Sequence, residues 1–534
     1  MNNANANTNS TSNATPAKTS SKSAAARLKI TYLKVKVAGG KTLTYIFRPR
    51  KRLSRLLSWL LSTLVATVSG HSYALDANAV PTGGNVGAGS GVITQNGANL
   101  KVTQATQDLV VNWNTFNIGS NASVNFVQPN AASIALNRVL SSDPSLIFGS
   151  LTANGKVFLT NPSGVLFGAS AKVDVGSLVA TSLSISDSAF LAGRASGKYV
   201  FSGADGAGSV INLGTINAAQ GGYVALLAPE VRNQGVITAR MGTVALAGGN
   251  KMTMDVAGDG LIKIAINEGA AKALASNKGM IQADGGMVYL GAKGAGDLAS
   301  TVVNNEGIIE ARSLVARDGK ILLEALGTGF MAINSGTLDA SGVGSASGGT
   351  VLVLAREGSA LLASSSVLKS TGGEVAGDGG FIELSGKHFT FDGSVDARAS
   401  NGNWGTFLID PANLTITNGA GTGLPYSAIA YPGDDSIRNG TITQLTTSAN
   451  LVLSATDSIT SGAATITGGG GNLTLQLALE GGLGTPTAIN VGSTAINLGA
   501  GKLTVTGLGA ADVVVGAVTG TGLTVTGGTG QVSL

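Results

Sequence analysis

Between residues 80 and 190 the apolar positions come in short bursts. Leu109-Val110-Val111, Val124-Asn125-Phe126-Val127, Ile134-Ala135-Leu136, Val157-Phe158-Leu159 and Val165-Leu166-Phe167 are each closed by Gly, Asn, Ser, Pro or Asp. No long stretch shows a 3.6-residue period, so this region reads as short strands joined by turns. The sharpest turn is Asn161-Pro162-Ser163-Gly164. Pro162 fixes φ near the value a turn needs, the Asn161 side chain can bond its own backbone two residues on, and Gly164 accepts positive φ.

After Ser202 the alternation becomes a repeat, N-x-G-x-I-x-A followed by a turn and an apolar strand. The copies start at Asn212, Asn233, Asn277, Asn305 and Asn334, and their glycines are spaced 21, 44, 28 and 29 residues apart. One coil is therefore about 20 residues, with insertions in loops. The alternation sends Ile inward once per coil, and an Asn at one fixed corner can form an amide ladder. The predicted fold is all-β, a right-handed parallel β-helix with an N-terminal cap. Coils about 4.8 Å apart would build a rod on the order of 100 Å long. A sandwich array would not hold Asn and Gly at one offset. The segment Glu268 to Ser276 reads as a helical excursion, and Phe391 to Ala397 as a degenerate sixth unit. Trp404 to Ile416, with Asp410-Pro411, reads as a domain joint. From Gly419 onward Gly, Thr, Ser, Val and Leu dominate, with no evident end cap.

Of 534 residues 79 are Gly, none is Cys and 12% are charged. Without Cys there is no disulfide framework or thiolate metal site, and a continuous solenoid core is the expected source of stability. Net charge is +5, but residues 1–79 hold 12 basic residues and one acid, leaving 22 basic and 28 acidic residues in the remainder. The basic balance belongs to the leader and does not indicate nucleic-acid binding. The first 26 residues or so are expected to be disordered. Arg48, Arg50, Lys51, Arg52 and Arg55 precede an apolar run from Leu56 to Gly70, the order of a signal peptide. That run is shorter than the roughly 20 residues of a spanning helix. Ala77-Asn78-Ala79 is the favoured cleavage site, and Ser72-Tyr73-Ala74 a second. The expected organisation is leader and signal peptide over 1–79, a secretion domain over 80–200, β-helix repeats over 201–416 and a Gly/Thr-rich, incomplete β-repeat region over 417–534.

The stretch Ala153-Asn154-Gly155-Lys156-Val157-Phe158-Leu159-Thr160-Asn161-Pro162-Ser163-Gly164-Val165-Leu166-Phe167-Gly168 resembles the signature of two-partner secretion exoproteins, the filamentous haemagglutinin family. Ser163 and Val165 depart mildly from its Asn-Pro-Asn-Gly-Ile core. Asn112, Trp113 and Phe116 agree upstream, as do Asn137 and Arg138. A second family signature, Asn-Pro-Asn-Leu, is absent, which makes the chain more similar to the high-molecular-weight adhesin branch. The resemblance implies export by a dedicated outer-membrane β-barrel transporter that reads the N-terminal domain. It also implies a place outside a Gram-negative cell, secreted or at the surface, and an adhesive role. It carries the secretion signal onto Asn161, Pro162, Ser163 and Gly164.

The inventory for catalysis is thin. The only histidines are His71 and His388, and His388 reads as a structural strand residue. No zinc-ligand cluster or phosphate loop is visible. Asp434-Asp435 could suggest a β-helix glycosidase but reads as a solvated turn. Gly203-Ala204-Asp205-Gly206 and Gly377-Asp378-Gly379-Gly380 read as turns rather than calcium loops. The expectation is a non-enzyme with no metal and no cofactor. The alternatives are a carbohydrate-active enzyme and the stalk of a contact-dependent toxin. No sequence feature identifies a receptor.

Overall fold

The x-Ile-x strands of the repeat stack in parallel, each in register with the next coil. In the computed structural model Thr215–Ala218, Val236–Thr238, Met280–Gln282, Ile308–Glu310 and Thr337–Asp339 are consecutive neighbours, with Ile216, Ile237, Ile281, Ile309 and Leu338 in one inward column. The model describes residues 31–36, 42–47, 75–203, 206–256, 261–296, 302–419, 435–478 and 486–534. Thr31–Lys36 pairs antiparallel with Thr42–Phe47 in a unit of its own. The expected signal-peptide core, His71, Ala74 and Asp434 lie outside the described residues.

Residues from Ala74 onward form the second unit, and it is a parallel β-helix. Its first sheet runs through twelve strands from Gly91–Asn96 to Ser394–Asp396. Every pairing in it is parallel except the outermost, where Gly91–Asn96 folds antiparallel onto Asn99–Gln104. That hairpin, with Asn85–Ala88 antiparallel to Asp108–Trp113, is the N-terminal cap. It covers an edge that would otherwise present unpaired backbone groups.

The amide ladder is built as the repeat predicts. Asn212 Nδ2 donates to Asn233 Oδ1, Asn233 to Asn277, Asn277 to Asn305 and Asn305 to Asn334, each at 2.8 Å. All five residues are fully buried. Each Nδ2 also donates to the glycine carbonyl two residues on. At the start of the ladder the Gly214 N–H donates to Asn212 Oδ1; at its end Asn334 donates to the Ser366 hydroxyl. The glycine of the motif is required by close approach, since a Cβ on Gly279 would stand 2.0 Å from the Gly235 carbonyl oxygen. The same contact recurs at Gly235, Gly307 and Gly336.

Two readings of the repeat are corrected. Glu268 to Ser276 is not a helix. Lys263–Glu268 and Leu274–Asn277 are strands, and Leu274–Asn277 pairs with Glu230–Asn233 on one side and Val302–Asn305 on the other. Ala275 and Asn277 are locked in the core and the ladder, so the stacked coils override the helix propensity of the Ala-rich stretch. A further coil, with the strand Val367–Lys369, lies between Thr337–Asp339 and Ser394–Asp396. It lacks N-x-G because Leu362 pairs opposite Asn334 and Ser366 stands before the strand where the other coils have glycine.

Near Trp404 the rod changes its outer faces without a break in its core. Thr406–Asp410 continues the long sheet, pairing with Phe381–Phe391 and then Asn450–Ala455. The twelve-stranded face ends, and a six-stranded face starting at Asn413–Thr417 takes over. One hydrophobic core runs from Val80 to Val515.

Replacing Asn277 by Ala should strip the acceptor from Asn233 and the donor from Asn305, a cost of about 1–3 kcal/mol for each buried group left unpaired. Thermal unfolding followed by circular dichroism should show a lower midpoint, and Gly279→Ala a larger drop. Midpoints equal to the parent's would show that the ladder holds nothing.

Candidate functional site

The secretion-type signature occupies the first coils, and its apolar run is buried on both faces. Val157, Phe158 and Leu159 are all fully buried, as a strand covered on each side requires. Inward, Val157 and Leu159 join the rod core; outward, Phe158 joins a second cluster. The cover is a helix, α1 (Asp187–Ser196), and a three-stranded antiparallel sheet of Lys198–Ser202, Lys251–Asp255 and Lys263–Glu268. Ser186 caps α1 by accepting from the Ala189 N–H, and Gly197 closes it at φ 69°. Phe190, Tyr199 and Phe201 pack around Phe158 with centroids 6.0, 5.3 and 6.3 Å away.

The flanking signature residues tie these layers together. Arg138 donates to Asn112 Oδ1 at 3.1 Å and to the Ile185 carbonyl at 2.8 Å, and it pairs with Asp187 at 2.6 Å. It therefore clamps the start of α1 to the rod. Trp113 lies in the core, edge-on to Phe116, and its Nε1 donates to Asn137 Oδ1 at 3.0 Å. Asn137 in turn donates to the carbonyls of Ala135 and Phe158. Asn154 bonds both the N–H and the carbonyl of Gln128, while Gln128 Oε1 accepts from the Gly155 N–H at 2.9 Å.

Gln128 was not singled out by motif reasoning, nor was Gln104, whose Oε1 accepts from Gln128 Nε2 at 3.1 Å. The signal for Gln104 was available, since it follows Leu100 and Val102 at the next inward position. Arg194, which bonds Asp108, Gln107 and the Ala132 carbonyl from the far end of α1, was also missed. Its distance in sequence from those partners leaves no local pattern. Beneath this cover Lys156 sits 5.6 Å from the Tyr223 ring. Burial, and then the Arg194 charge, lower its pKa.

The turn itself has the chemistry expected of it. Asn161 Oδ1 accepts from the Ser163 N–H at 3.0 Å, and the Gly164 N–H donates to the Asn161 carbonyl at 2.8 Å. Asn161 Nδ2 reaches the preceding coil at the Asp143 carbonyl and the Ser145 hydroxyl, both 3.0 Å away. Its backbone N–H reaches the next coil at the Thr181 carbonyl. Asn161 is fully buried, so it is a pin between three coils. Gly164 has φ 105°, and a Cβ there would stand 2.6 Å from the Ser209 carbonyl oxygen.

Residues 77–340 match the model of the TPS secretion domain. The chain carries a two-partner secretion domain. The match extends well past the boundary near residue 200 expected from the signature alone. Two curated relatives are heme/hemopexin-binding proteins of Haemophilus influenzae. One, from strain KW20 / Rd, is 34% identical over 267 residues, 49% of this chain and 29% of that protein. The other is 32% identical over 250 residues, 42% of this chain and 26% of that protein. The chain thus matches less than a third of the length of these relatives. Among solved structures the HMW1 secretion domain from Haemophilus influenzae aligns over 67% of this chain and 98% of its own, at 24% identity and a TM-score of 0.47.

Elsewhere among the described residues, His388, Asp435, Asp378 and Asp410 each meet neighbouring groups of the rod. His388 lies on the strand Phe381–Phe391, as expected. Asp435 is not a solvated turn residue. Its carboxylate meets His388 Nδ1 at 3.2 Å and accepts from the Phe389 N–H at 3.1 Å, because the chain returns here to seal the rod's flank. Asp378 lies in an irregular segment, and its Oδ1 accepts from the Asn403 N–H. Asp410 is pushed up to about 6, first by burial and then by the Glu383 carboxylate, against the Ser454 hydroxyl and Arg356. Its folded-state pKa is thus raised above the unfolded one. The protonated form is favoured on folding, so this stability is present at acid pH and is lost as pH rises from about 4 to about 6. Asp410→Asn should flatten that slope and stabilise the rod at pH 7 relative to the parent. Denaturation midpoints at pH 4 and pH 7 check it, and parallel slopes in both proteins would contradict the assignment.

Proposed function

We propose that this protein is exported through a dedicated outer-membrane β-barrel partner that reads its secretion domain, and that the β-helix acts outside the cell as an adhesin. The family match over residues 77–340 carries the first half of this reading. The rod supports the second: a long regular scaffold that presents columns of outward side chains. The destination is the extracellular medium or the cell surface, reached through the periplasm of a Gram-negative bacterium. No described helix is long and apolar enough to cross a membrane. Heme or hemopexin binding belongs to the relatives by name. Their match to this chain is a minority of their length, so the adhesive reading is preferred here.

The physical role of Asn161 follows from its burial. It holds the turn geometry and joins three coils, so its loss would loosen the domain where the partner engages it. Coils folding outside, each templated on the last, would draw the chain out without ATP. Asn161→Ala and Pro162→Ala should lower the ratio of extracellular to periplasmic protein when co-expressed with the transporter, with expression unchanged. Asp434→Ala should leave the ratio alone. Parent-like ratios for both turn variants would reduce Asn161-Pro162 to a fold element.

The structure also bears on processing. The Ala77 carbonyl accepts from the Asn121 N–H at 2.7 Å and the Ala79 carbonyl from the Gly119 N–H at 2.8 Å. Cleavage after Ala79 would remove both bonds, whereas cleavage after Ala74 keeps them. N-terminal sequencing of exported protein should therefore give Leu75. A start at Val80 would favour the Ala77-Asn78-Ala79 site instead.

A further inference from the structure

Where the twelve-stranded face ends, the long sheet continues, and its outer side brings two carboxylates together. Ile382, Leu384, Ile409 and Leu453 point into the core, so by alternation Glu383, Ser385, Asp410 and Ser454 point outward. These four come from three successive coils. Ser385 and Asp410 are register partners, and the pairing of Ile409 with Leu453 sets Ser454 beside Asp410 on the next coil. Neighbouring coils lie about 4.8 Å apart. The Ser385 hydroxyl donates to Glu383 Oε1 at 2.7 Å, which draws the Glu383 carboxylate over Ser385 and so toward Asp410.

Although they face outward, Ser385 is 0% and Ser454 1% exposed. Asp410 Oδ1 and Ser454 Oγ are both buried and have no hydrogen-bond partner. The Arg356 charge acts on Asp410 without donating to Oδ1. A buried carboxylate oxygen left unpaired is costly, and a second carboxylate beside it adds repulsion. A bound cation would relieve both. The groups are all oxygens, which suits a hard cation rather than zinc. Calcium accepts irregular oxygen sets completed by water, whereas magnesium demands near-octahedral geometry. Among the described residues no three His, Asp or Glu side chains group as metal ligands, so a hydroxyl must contribute and the site is a weak one.

We propose that Glu383, Asp410 and Ser454 bind one calcium ion, with Ser385 positioning Glu383, and that the ion ties three coils together where the outer faces of the rod change. The expected dissociation constant is about 0.1–1 mM, the range of extracellular calcium modules.

Calorimetric titration of the full chain at pH 7 and constant ionic strength should show one calcium per chain, and calcium should raise the thermal midpoint. Asp410→Asn and Glu383→Gln keep the side-chain shapes. Each should weaken calcium binding by about tenfold or more and lose the rise in midpoint, with a smaller effect from Ser454→Ala. Asp378→Asn, away from the site, should respond like the parent. With calcium chelated, Asp410→Asn should still melt above the parent, so its loss of response cannot come from misfolding. Absence of binding and of a midpoint shift in the parent overturns the assignment. So does an equal response to magnesium, or a calcium response that survives in both amide variants.

Discussion

One distance governs the structure: the spacing at which each coil must lie on the one before. Parallel strands bond at about 4.8 Å, and nothing between coils can exceed that separation. At the Asn corner the backbones come close enough that the glycine carbonyl of one coil would strike a Cβ on the next. Glycine is therefore obligatory there, and the Asn two residues earlier can then bond the same glycine's carbonyl and the neighbouring amide at once. The inward Ile column is a consequence of the same register. Insertions appear only where the chain leaves that spacing, as in the 44-residue interval that carries the two antiparallel strands of the cover.

The secretion domain departs from this regularity by burying its outer face as well. Phe158 would be solvent-exposed on a bare coil; under α1 and the antiparallel sheet it becomes the centre of an aromatic cluster. Polar residues are buried there beside the apolar columns. Gln128, Asn137 and Asn161 each bond two or more strands, and each is buried or nearly so. A domain held by such nodes has one geometry, which a dedicated partner can recognise.

Much of this was legible because the repeat is a direct imprint of the spacing constraint. The period, the Asn ladder, the parallel sheet and the turn chemistry of Asn161 and Gly164 all follow from local pattern. The coil with Val367–Lys369 was hidden because Leu362 holds the Asn position there and the ladder ends on the Ser366 hydroxyl. Glu268 to Ser276 misled because its residues favour helix locally, while Ala275 and Asn277 answer to the coils on either side. The cover was illegible for another reason: Arg138 and Arg194 find their partners 49 and 86 residues away in the chain, and no window contains both ends.

The ladder has a direction, and that bears on how such proteins change over generations. Every inner coil offers the same carbonyl oxygen to the coil before it and the same amide hydrogens to the coil after it. A duplicated coil therefore meets its neighbours with surfaces already matched, and a deleted one leaves a seam that closes. Length becomes a property that recombination can alter in whole steps without redesigning any contact. The N-terminal cap and the clamped secretion domain have no such freedom, because each of their bonds joins residues that occur once.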